Sequence, residues 1–333
     1  MNTETSLNRF QDLPEDLARV IFEESAADPD IPGWACARVS KKVQAWVEPI
    51  LYREVIVEDH ISISLLHNTV LSHPTKPESF FSLHVRTLCI YSQEYDTADD
   101  IIFDILSACP NLTQLDLSNR ARRRREDLKV GAHPSWNRPR LKRLRMPELY
   151  FPPSHRHFRF AEGQNLNPIF ANITHFELHL YSPVIIPWDW GSFQYLPFLT
   201  HFCISMTPAE QAVSRAASDL RSAVPYFPPS LIVCVFYIPN TISVWLTDFI
   251  PLVQENGRKV DERVVVALDE AYYLMLREGH PCSWLEDEAT WRPRSVDKVA
   301  SERKDYLRAF WERAEAVITR RRREDKATVG CGS

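Results

Sequence analysis

The stretch that decides the fold is Cys109–Ser118, with the sequence CPNLTQLDLS. Its apolar residues Leu112, Leu115 and Leu117 have the spacing Φ-x-x-Φ-x-Φ, where Φ is apolar, and the last two share one face of a strand because side chains alternate along it. The same apolar hexad begins at residues 52, 85, 112, 141, 173, 199 and 231. A recurrence this regular predicts an array of repeats that each contribute one strand.

The spacing of the copies indicates the kind of array. Successive hexads begin 26 to 33 residues apart, and leucine-rich repeats have one unit per about 20 to 29 residues. Cys109–Ser118 closely resembles such a repeat, whereas the other copies keep only the strand. The resemblance implies an α/β fold, a degenerate leucine-rich-repeat-like solenoid with parallel strands, to which Val264–Leu268 would add a last strand.

Two connections between strands have helical signatures. Ile102, Ile105 and Leu106 form an apolar helical face, and Thr207–Glu210 (TPAE) is a capping box that opens a helix toward Ala223. The segments 119–140 and 147–172 are rich in Pro, Arg and His, which favours surface loops.

The register of a parallel sheet follows from the hexads. If their apolar positions face the core, the residues between and after them line the opposite face. The first such row is Thr87, Gln114, Arg143, His175, His201 and Val233, and the second is Cys89, Asp116, Arg145, Glu177, Cys203 and Val235. Arg145 falls between Asp116 and Glu177, which predicts a charge ladder across three strands.

The first row also suggests a partner-binding surface. Arg143 lies beside His175 and His201, a donor cluster suited to an acidic or phosphorylated peptide. With Arg145 and Glu177, these residues are the candidate substrate-binding set. The alternative is an ordinary solvated face, since any exposed strand face carries polar residues.

The first fifty residues predict a small helical unit. Leu13, Leu17, Val20 and Ile21 have the spacing of an amphipathic helix capped by Asp12. A second helical stretch is expected from Trp34 to Val47, ending ahead of Pro49. So small a unit needs a partner for stability.

This unit resembles an F-box. Leu13–Phe22 (LPEDLARVIF), followed by Val39–Lys42 (VSKK), carries the resemblance. It implies a three-helix motif that docks on the Skp-type adaptor of a cullin–RING ubiquitin ligase. The family's usual tryptophan falls at Val43 here, and Trp46 stands one turn later. The adaptor contacts that the resemblance implies are Leu13, Pro14, Leu17, Ile21, Val39 and Trp46.

The C-terminal end predicts one long helix, Ser295–Arg323, with Trp284 and Trp291 packed under it. We expect it to cap the last repeat, since solenoids need terminal caps. The predicted organisation is an F-box-like motif at 1–51, a solenoid at 52–275, a helical cap at 276–323 and a tail at 324–333.

Composition narrows the function further. The 333 residues have a net charge of −5, so binding to DNA or to an anionic membrane has no global support. Phosphate-cradling glycine motifs, catalytic motifs and metal-ligand spacings are absent from the sequence, so we expect no cofactor, no metal and no enzymatic activity. The seven scattered cysteines suggest buried reduced thiols, and no signal or membrane-spanning segment is apparent, which favours the cytoplasm or nucleus.

The sequence thus predicts a substrate-recognition adaptor of a ubiquitin ligase, bound to a Skp-type adaptor and cullin and to an unidentified protein substrate. The first alternative is a ligase-independent scaffold in which vestigial F-box helices cap the array. Inward packing of Leu13, Leu17, Ile21 and Trp46 would favour the cap, and an exposed apolar patch would favour a partner. The second alternative is a nucleic-acid binder using Arg122–Arg125 and Arg320–Arg323.

Overall fold

The computed structural model describes most of the predicted elements. The described residues are 13–28, 31–73, 76–91, 99–117, 130, 134–137, 140–151, 158, 166–180, 188–206, 220–238, 260–270, 274, 289–292 and 300–330. Several features of the sequence lie outside them, namely Asp12, Ser118, Arg122–Arg125, Thr207–Glu210, Cys282, Trp284, Ser295 and Cys331.

The protein is α/β, and its described residues form a nine-stranded sheet. The strands are β1 (Glu54–Val57), β2 (Thr87–Ile90), β3 (Gln114–Leu117), β4 (Arg143–Pro147), β5 (His175–Leu180), β6 (His201–Met206), β7 (Val233–Ile238), β8 (Val264–Asp269) and β9 (Ala289–Arg292). All neighbouring strands are parallel, and their order in the sheet is their order in the sequence.

The hexads correctly located the first seven strands, and Val264–Leu268 correctly located the eighth. The pairing register is also the predicted one: Arg143 lies opposite Gln114 and His175, and His175 lies opposite His201. Strand β9 was not predicted because its sequence, ATWR, lacks the apolar spacing.

Seven helices flank the sheet in the described part of the chain. They are α1 (Glu15–Ala27), α2 (Gly33–Ala37), α3 (Lys41–Leu51), α4 (His60–Ser72), α5 (Phe80–His84), α6 (Asp99–Ala108) and α7 (Ala300–Gly330). Short 3-10 turns lie at Pro134–Asn137, Glu148–Tyr150, Pro168–Phe170, Trp190–Tyr195 and Val224–Tyr226. Helix α6 confirms the apolar face predicted there, whereas α4 was not predicted.

The N-terminal unit contains three helices, the number that the resemblance implied, whereas the residue pattern alone predicted two helical stretches. The stretch after Trp34 divides because Ser40 is extended and its hydroxyl caps α3 by accepting from the backbone N–H of Val43 at 3.2 Å. Helix α3 also continues through Pro49, which removes one backbone donor near the helix end, while the N–H of Tyr52 still donates to Glu48 at 2.9 Å.

These three helices pack closely around a small core of Cys36, Val43 and Val47. A Cβ on Gly33 would lie 2.9 Å from the carbonyl oxygen of Ala26 and 2.7 Å from Leu51 Cδ2. Because neither distance is one that a real Cβ atom tolerates, glycine is needed where α2 meets α1 and α3.

The main core lies on the face of the sheet to which the hexads point. The second apolar residue of each hexad from β2 to β7 is completely or almost completely buried there, namely Leu88, Leu115, Leu144, Phe176, Phe202 and Cys234. Ile102 and Ile105 of α6 belong to the same core. This confirms the predicted inward orientation of the hexads.

The opposite face is covered in part by α7. Its apolar side chains pack on strands β6 to β8 in a second core of Phe310, Trp311, Ala314, Val317, Ile318, Cys203, Val233, Val235, Tyr237, Val265 and Ala267. The prediction that this helix only caps the array end therefore needs correction. The outward rows become apolar at Val233 and Val235, and burying that surface from water favours a helix on the face.

Helix α7 also reaches the last described strand. The guanidinium of Arg313 lies 3.9 Å from the ring centroid of Trp291 and donates to its backbone oxygen at 2.9 Å. The predicted packing of Trp291 against the helix is confirmed. No helix among the described residues is long and apolar enough to cross a membrane.

The cysteines that the structure describes are all buried and form no disulfide bond, as predicted: Cys36, Cys89, Cys109, Cys203 and Cys234. Burial raises the pKa of the Cys109 thiol to about 12. These thiols therefore act as small apolar groups in the packing.

Candidate functional site

The candidate site is built on a repeated Thr-His pair at the start of β5 and β6. In both strands the threonine hydroxyl donates to the carbonyl of the preceding strand: Thr174 to Lys142 and Thr200 to Thr174, each at 3.0 Å. The same hydroxyls lie 3.0 Å from Nδ1 of His175 and 2.7 Å from Nδ1 of His201. This repetition gives both imidazoles the same orientation.

The threonine hydroxyl has one hydrogen, which can point to the backbone carbonyl or to Nδ1, so the tautomer of each ring depends on what its Nε2 atom contacts. The rings of His175 and His201 stack with centroids 4.1 Å apart and planes 2° apart. Their Nε2 atoms therefore lie on the same side of the stack, one strand apart.

The Nε2 atom of His201 contacts helix α7. It lies 2.6 Å from a carboxylate oxygen of Glu315, and the ring of Trp311 covers both imidazoles edge-on, with centroids 5.6 Å from His175 and 5.2 Å from His201. A carboxylate only accepts hydrogen bonds, so Nε2 of His201 is the donor in this contact.

Burial keeps the histidine pair from titrating in the usual range. Burial, followed by the charges of His201 and Arg143, lowers the pKa of His175 to about 3. Burial also lowers the pKa of His201, although its contact with Glu315 opposes that effect. At neutral pH His175 is thus an uncharged ring.

The predicted charge ladder exists in the second row. The guanidinium of Arg145 lies 3.3 Å from Asp116 and 3.1 Å from Glu177. Its Nε atom donates to Nε2 of His179 at 2.6 Å, so that nitrogen carries no proton, and the 3.3 Å approach of His179 to Glu177 is not an ion pair. Asp116 is 2% exposed and Glu177 is 6% exposed.

This burial divides the candidate substrate-binding residues into two groups. Arg145, Glu177 and His201 are engaged in contacts within the chain, and the last two are buried, so the alternative of an ordinary solvated face does not describe them. Arg143 and His175 keep partial exposure. Within the described part of the chain, the side chain of Arg143 has no ion-pair or hydrogen-bond partner.

Arg143 and His175 line a shallow pocket beside α7. Its walls are Gln114, Leu115, Asp116, Arg143, Leu144, Arg145, His175, Phe176, Glu177 and Trp311. The volume of the pocket is about 40 Å³, which is enough for a small polar group. The pocket combines residues of β3, β4 and β5 with one residue from the C-terminal helix.

A second candidate surface lies on the N-terminal helices. Leu17 is 54% exposed, Ile21 is 45% exposed and Val39 is 60% exposed. With Leu13, Pro14 and Val20, which are also exposed, they form what we call the N-terminal patch. Five of the six residues carried over from the resemblance thus belong to the N-terminal patch. Val20, the sixth member, was predicted on the helix stripe but not as a contact.

Trp46 is the exception among the carried-over residues. It is partly buried and packs against the core of Cys36, Val43 and Val47. Nζ of Lys42 lies 5.5 Å from the centroid of its ring. Trp46 therefore helps to hold the three helices together.

A buried cation joins the N-terminal helices to the array. Nζ of Lys76 lies 2.7 Å from Glu48 of α3, and the Lys76 side chain is 3% exposed. The same atom lies 4.8 Å from the ring of Tyr52 and 4.7 Å from the ring of Phe80. These contacts restrict how the unit can move relative to the sheet.

The described residues give little support to the nucleic-acid alternative. Arg321, in the second arginine run, is buried and donates to the carbonyls of Val264 at 2.7 Å and Glu262 at 3.1 Å. The run is thus not a uniformly exposed basic patch. No cluster of three metal-ligating side chains occurs among the residues that the structure describes.

Sequence reasoning missed the contributions of Trp311 and Glu315 to the site. Nothing in local spacing connects residue 201 with residue 315. The sequences ITHF at 173–176 and LTHF at 199–202 were, however, a visible signal for the stacked histidines.

Comparison of the chain with protein-family models, with curated proteins and with solved structures found no match.

Proposed function

We propose that this protein is a substrate-recognition adaptor of a cullin–RING ubiquitin ligase. In this role the N-terminal helices dock on a Skp-type adaptor, and the repeat array, a degenerate leucine-rich-repeat-like solenoid, binds a protein substrate. The protein performs no chemistry itself. It brings a substrate lysine near the charged ubiquitin carrier and so raises the effective concentration of the two reactants.

The observation that carries the proposal is the N-terminal patch. Leu17, Val20 and Ile21 lie on α1, which also packs Phe22 and Ala26 against the helical core, so their exposure is not a sign of incomplete folding. Leu13, Leu17 and Ile21 remain exposed instead of packing against Tyr52 and the first strand. A group of exposed apolar side chains on an otherwise packed unit is typical of a protein interface.

The arrangement of the strands supports the repeat-array part of the proposal. Nine parallel strands in sequence order place each repeat against its neighbours alone. The Lys76 contacts hold the N-terminal helices on this array. A fixed orientation of this kind suits an adaptor, because a substrate must be presented at a defined distance from the ligase.

The test is capture of a purified Skp-type adaptor by the full chain, measured by co-purification and by isothermal titration calorimetry. We expect the wild type to bind, and the triple variant Leu13→Ala, Leu17→Ala, Ile21→Ala to lose at least about tenfold in affinity, which is roughly 1.4 kcal/mol. The substitutions are at exposed positions, so the fold should survive.

The matched control is Ile61→Ala, Leu65→Ala on α4, where both side chains are also exposed apolar groups. This variant should bind as the wild type does. Absence of binding by a folded wild type, or equal loss in both variants, would rule out docking through the N-terminal patch.

The ligase-independent scaffold remains a second candidate because of Trp46 and Lys76. Trp46 is packed inside the helical unit and Lys76 fixes that unit on the array, as expected of a cap. On this alternative, the triple variant would leave all partner binding unchanged, and deletion of the helical unit would expose Tyr52 and destabilise the array.

A further inference from the structure

The stacked histidines form two equivalent positions on neighbouring strands. At β6, Thr200 orients His201, and Nε2 of His201 contacts the carboxylate of Glu315 at 2.6 Å. At β5, Thr174 orients His175 in the same way. The two rings are parallel and lie on neighbouring strands. A carboxylate bound at Nε2 of His175, in the way that Glu315 contacts His201, would therefore lie about one strand spacing from Glu315, roughly 4.8 Å.

The position at β5 holds no carboxylate from the described residues, and it differs from β6 by having a cation. Arg143 lies directly opposite His175 in the sheet, and its guanidinium has no ion-pair partner within the described residues. The two carboxylates that line the pocket, Asp116 and Glu177, are already bound by Arg145. The two carboxylates and two guanidiniums make the pocket formally neutral, and Arg143 is the cation of this set that contacts neither carboxylate.

We propose that the pocket between Arg143 and His175 binds a carboxylate side chain of a protein partner, as the neighbouring His201 binds Glu315. The guanidinium of Arg143 supplies charge-assisted donors. Trp311 forms one wall, so that the site is a composite of the sheet and the C-terminal helix. Nε2 of His175 donates a further hydrogen bond to this carboxylate, as Nε2 of His201 donates to Glu315.

This assignment names the chemistry of the proposed substrate, and it rests on the proposed function for the statement that the partner is a ligase substrate. It also narrows the candidate residues. Helix α7 covers β6 to β8 and places Glu315 on His201. The surface left for a partner is the part of the first row from Gln114 to His175.

The test uses the full chain and three pools of synthetic ten-residue peptides. The pools are identical except at fixed positions that carry Glu, Gln or phosphoserine. Affinities are measured by biolayer interferometry at pH 6.5. We expect the wild type to bind the Glu pool about tenfold more tightly than the Gln pool, and Arg143→Gln to lose that preference.

A second variant tests the site without removing the arginine. Gln114 lies opposite Arg143 on β3, so Gln114→Glu places a carboxylate within reach of the guanidinium and should block the Glu pool. The matched control is Thr87→Glu, which adds the same charge one strand further along the row and should retain most of the preference. Thermal melts verify that each variant is folded.

Three results would overturn the assignment. Equal binding of the Glu and Gln pools would remove the carboxylate specificity, tighter binding of the Gln pool would assign the pocket to a neutral amide, and binding of the phosphoserine pool alone would assign it to phosphate. Adaptor capture is measured on the same samples. Wild-type capture without a Glu preference refutes this site only, whereas a Glu preference without capture refutes only the ligase role.

Discussion

His201 and Glu315 are 114 residues apart in the sequence, yet Nε2 of one lies 2.6 Å from a carboxylate oxygen of the other. This contact joins the middle of the parallel sheet to the C-terminal helix. The ring of Trp311 contacts the imidazole of His201 in an edge-on geometry. The helix is consequently part of the proposed partner-binding surface as well as a cover for the last strands.

Glu315→Gln should weaken the attachment of the helix. The substitution keeps the size of the side chain but replaces a charge-assisted hydrogen bond by a neutral one. Because Glu315 is half exposed, we expect a loss of only about 1 kcal/mol in the free energy of unfolding. Urea titration followed by tryptophan fluorescence measures it. Glu312→Gln, one turn away and more exposed, should change stability by less than about 0.5 kcal/mol.

Acidification should destabilise the protein through His175. Its pKa is lowered to about 3 in the folded state, mainly by burial. Between about pH 6.5 and pH 3 the unfolded chain therefore binds the proton that the folded chain does not, so stability is present above pH 6.5 and falls as the pH drops. His201, whose pKa is also lowered, acts in the same direction.

The measurement is the urea midpoint at pH 7.5 and at pH 5.5 for the wild type and for His175→Gln. The slope for one histidine is at most about 1.4 kcal/mol per pH unit. The variant should show a smaller loss between the two pH values. An unchanged loss would mean that other groups, and not His175, bind the proton.

Arg145 and Arg143 should respond very differently to the same substitution. Arg145→Met removes the guanidinium that lies near two buried carboxylates, Asp116 and Glu177, and should cost about 3 kcal/mol or more. Arg143→Met, two residues earlier on the same strand, removes an arginine without an ion pair in the described residues and should cost less than about 0.5 kcal/mol. Chemical denaturation of both variants compares them, and similar costs would contradict the ladder.

The Lys76 contacts can be tested by a double-mutant cycle. Lys76→Met leaves the carboxylate of Glu48 without its buried cation and should lower the free energy of unfolding by about 3 kcal/mol. Lys76→Met combined with Glu48→Gln should be more stable than the sum of the two single losses predicts, by at least about 1 kcal/mol. Limited proteolysis after the first helices gives a second readout, since the loosened unit should be cleaved sooner.

Local sequence patterns predicted the sheet because the spacing of apolar residues within each strand specifies how that strand is oriented. The spacing of Leu112, Leu115 and Leu117 specifies which side chains face the core, and a one-residue shift would turn that set outward. The register that follows from this spacing places Arg145 between Asp116 and Glu177, as the pairing of the strands confirms. Helix boundaries were less accurate, because the break at Ser40 depends on a single cap and Pro49 is tolerated in the last turn.

The sequence by itself determined the parallel strands, their order and register, and the exposed stripe of the first helix, since each depends on residues a few positions apart. The tertiary structure alone decided which parts of the outward rows remain open. Helix α7 lies on β6 to β8 because Cys203, Val235 and Ala267 form an apolar surface there, and burying that surface places Trp311 and Glu315 over the histidines. No spacing rule connects those segments, so the pocket that Arg143 and His175 share with Trp311 could be identified only from the folded chain.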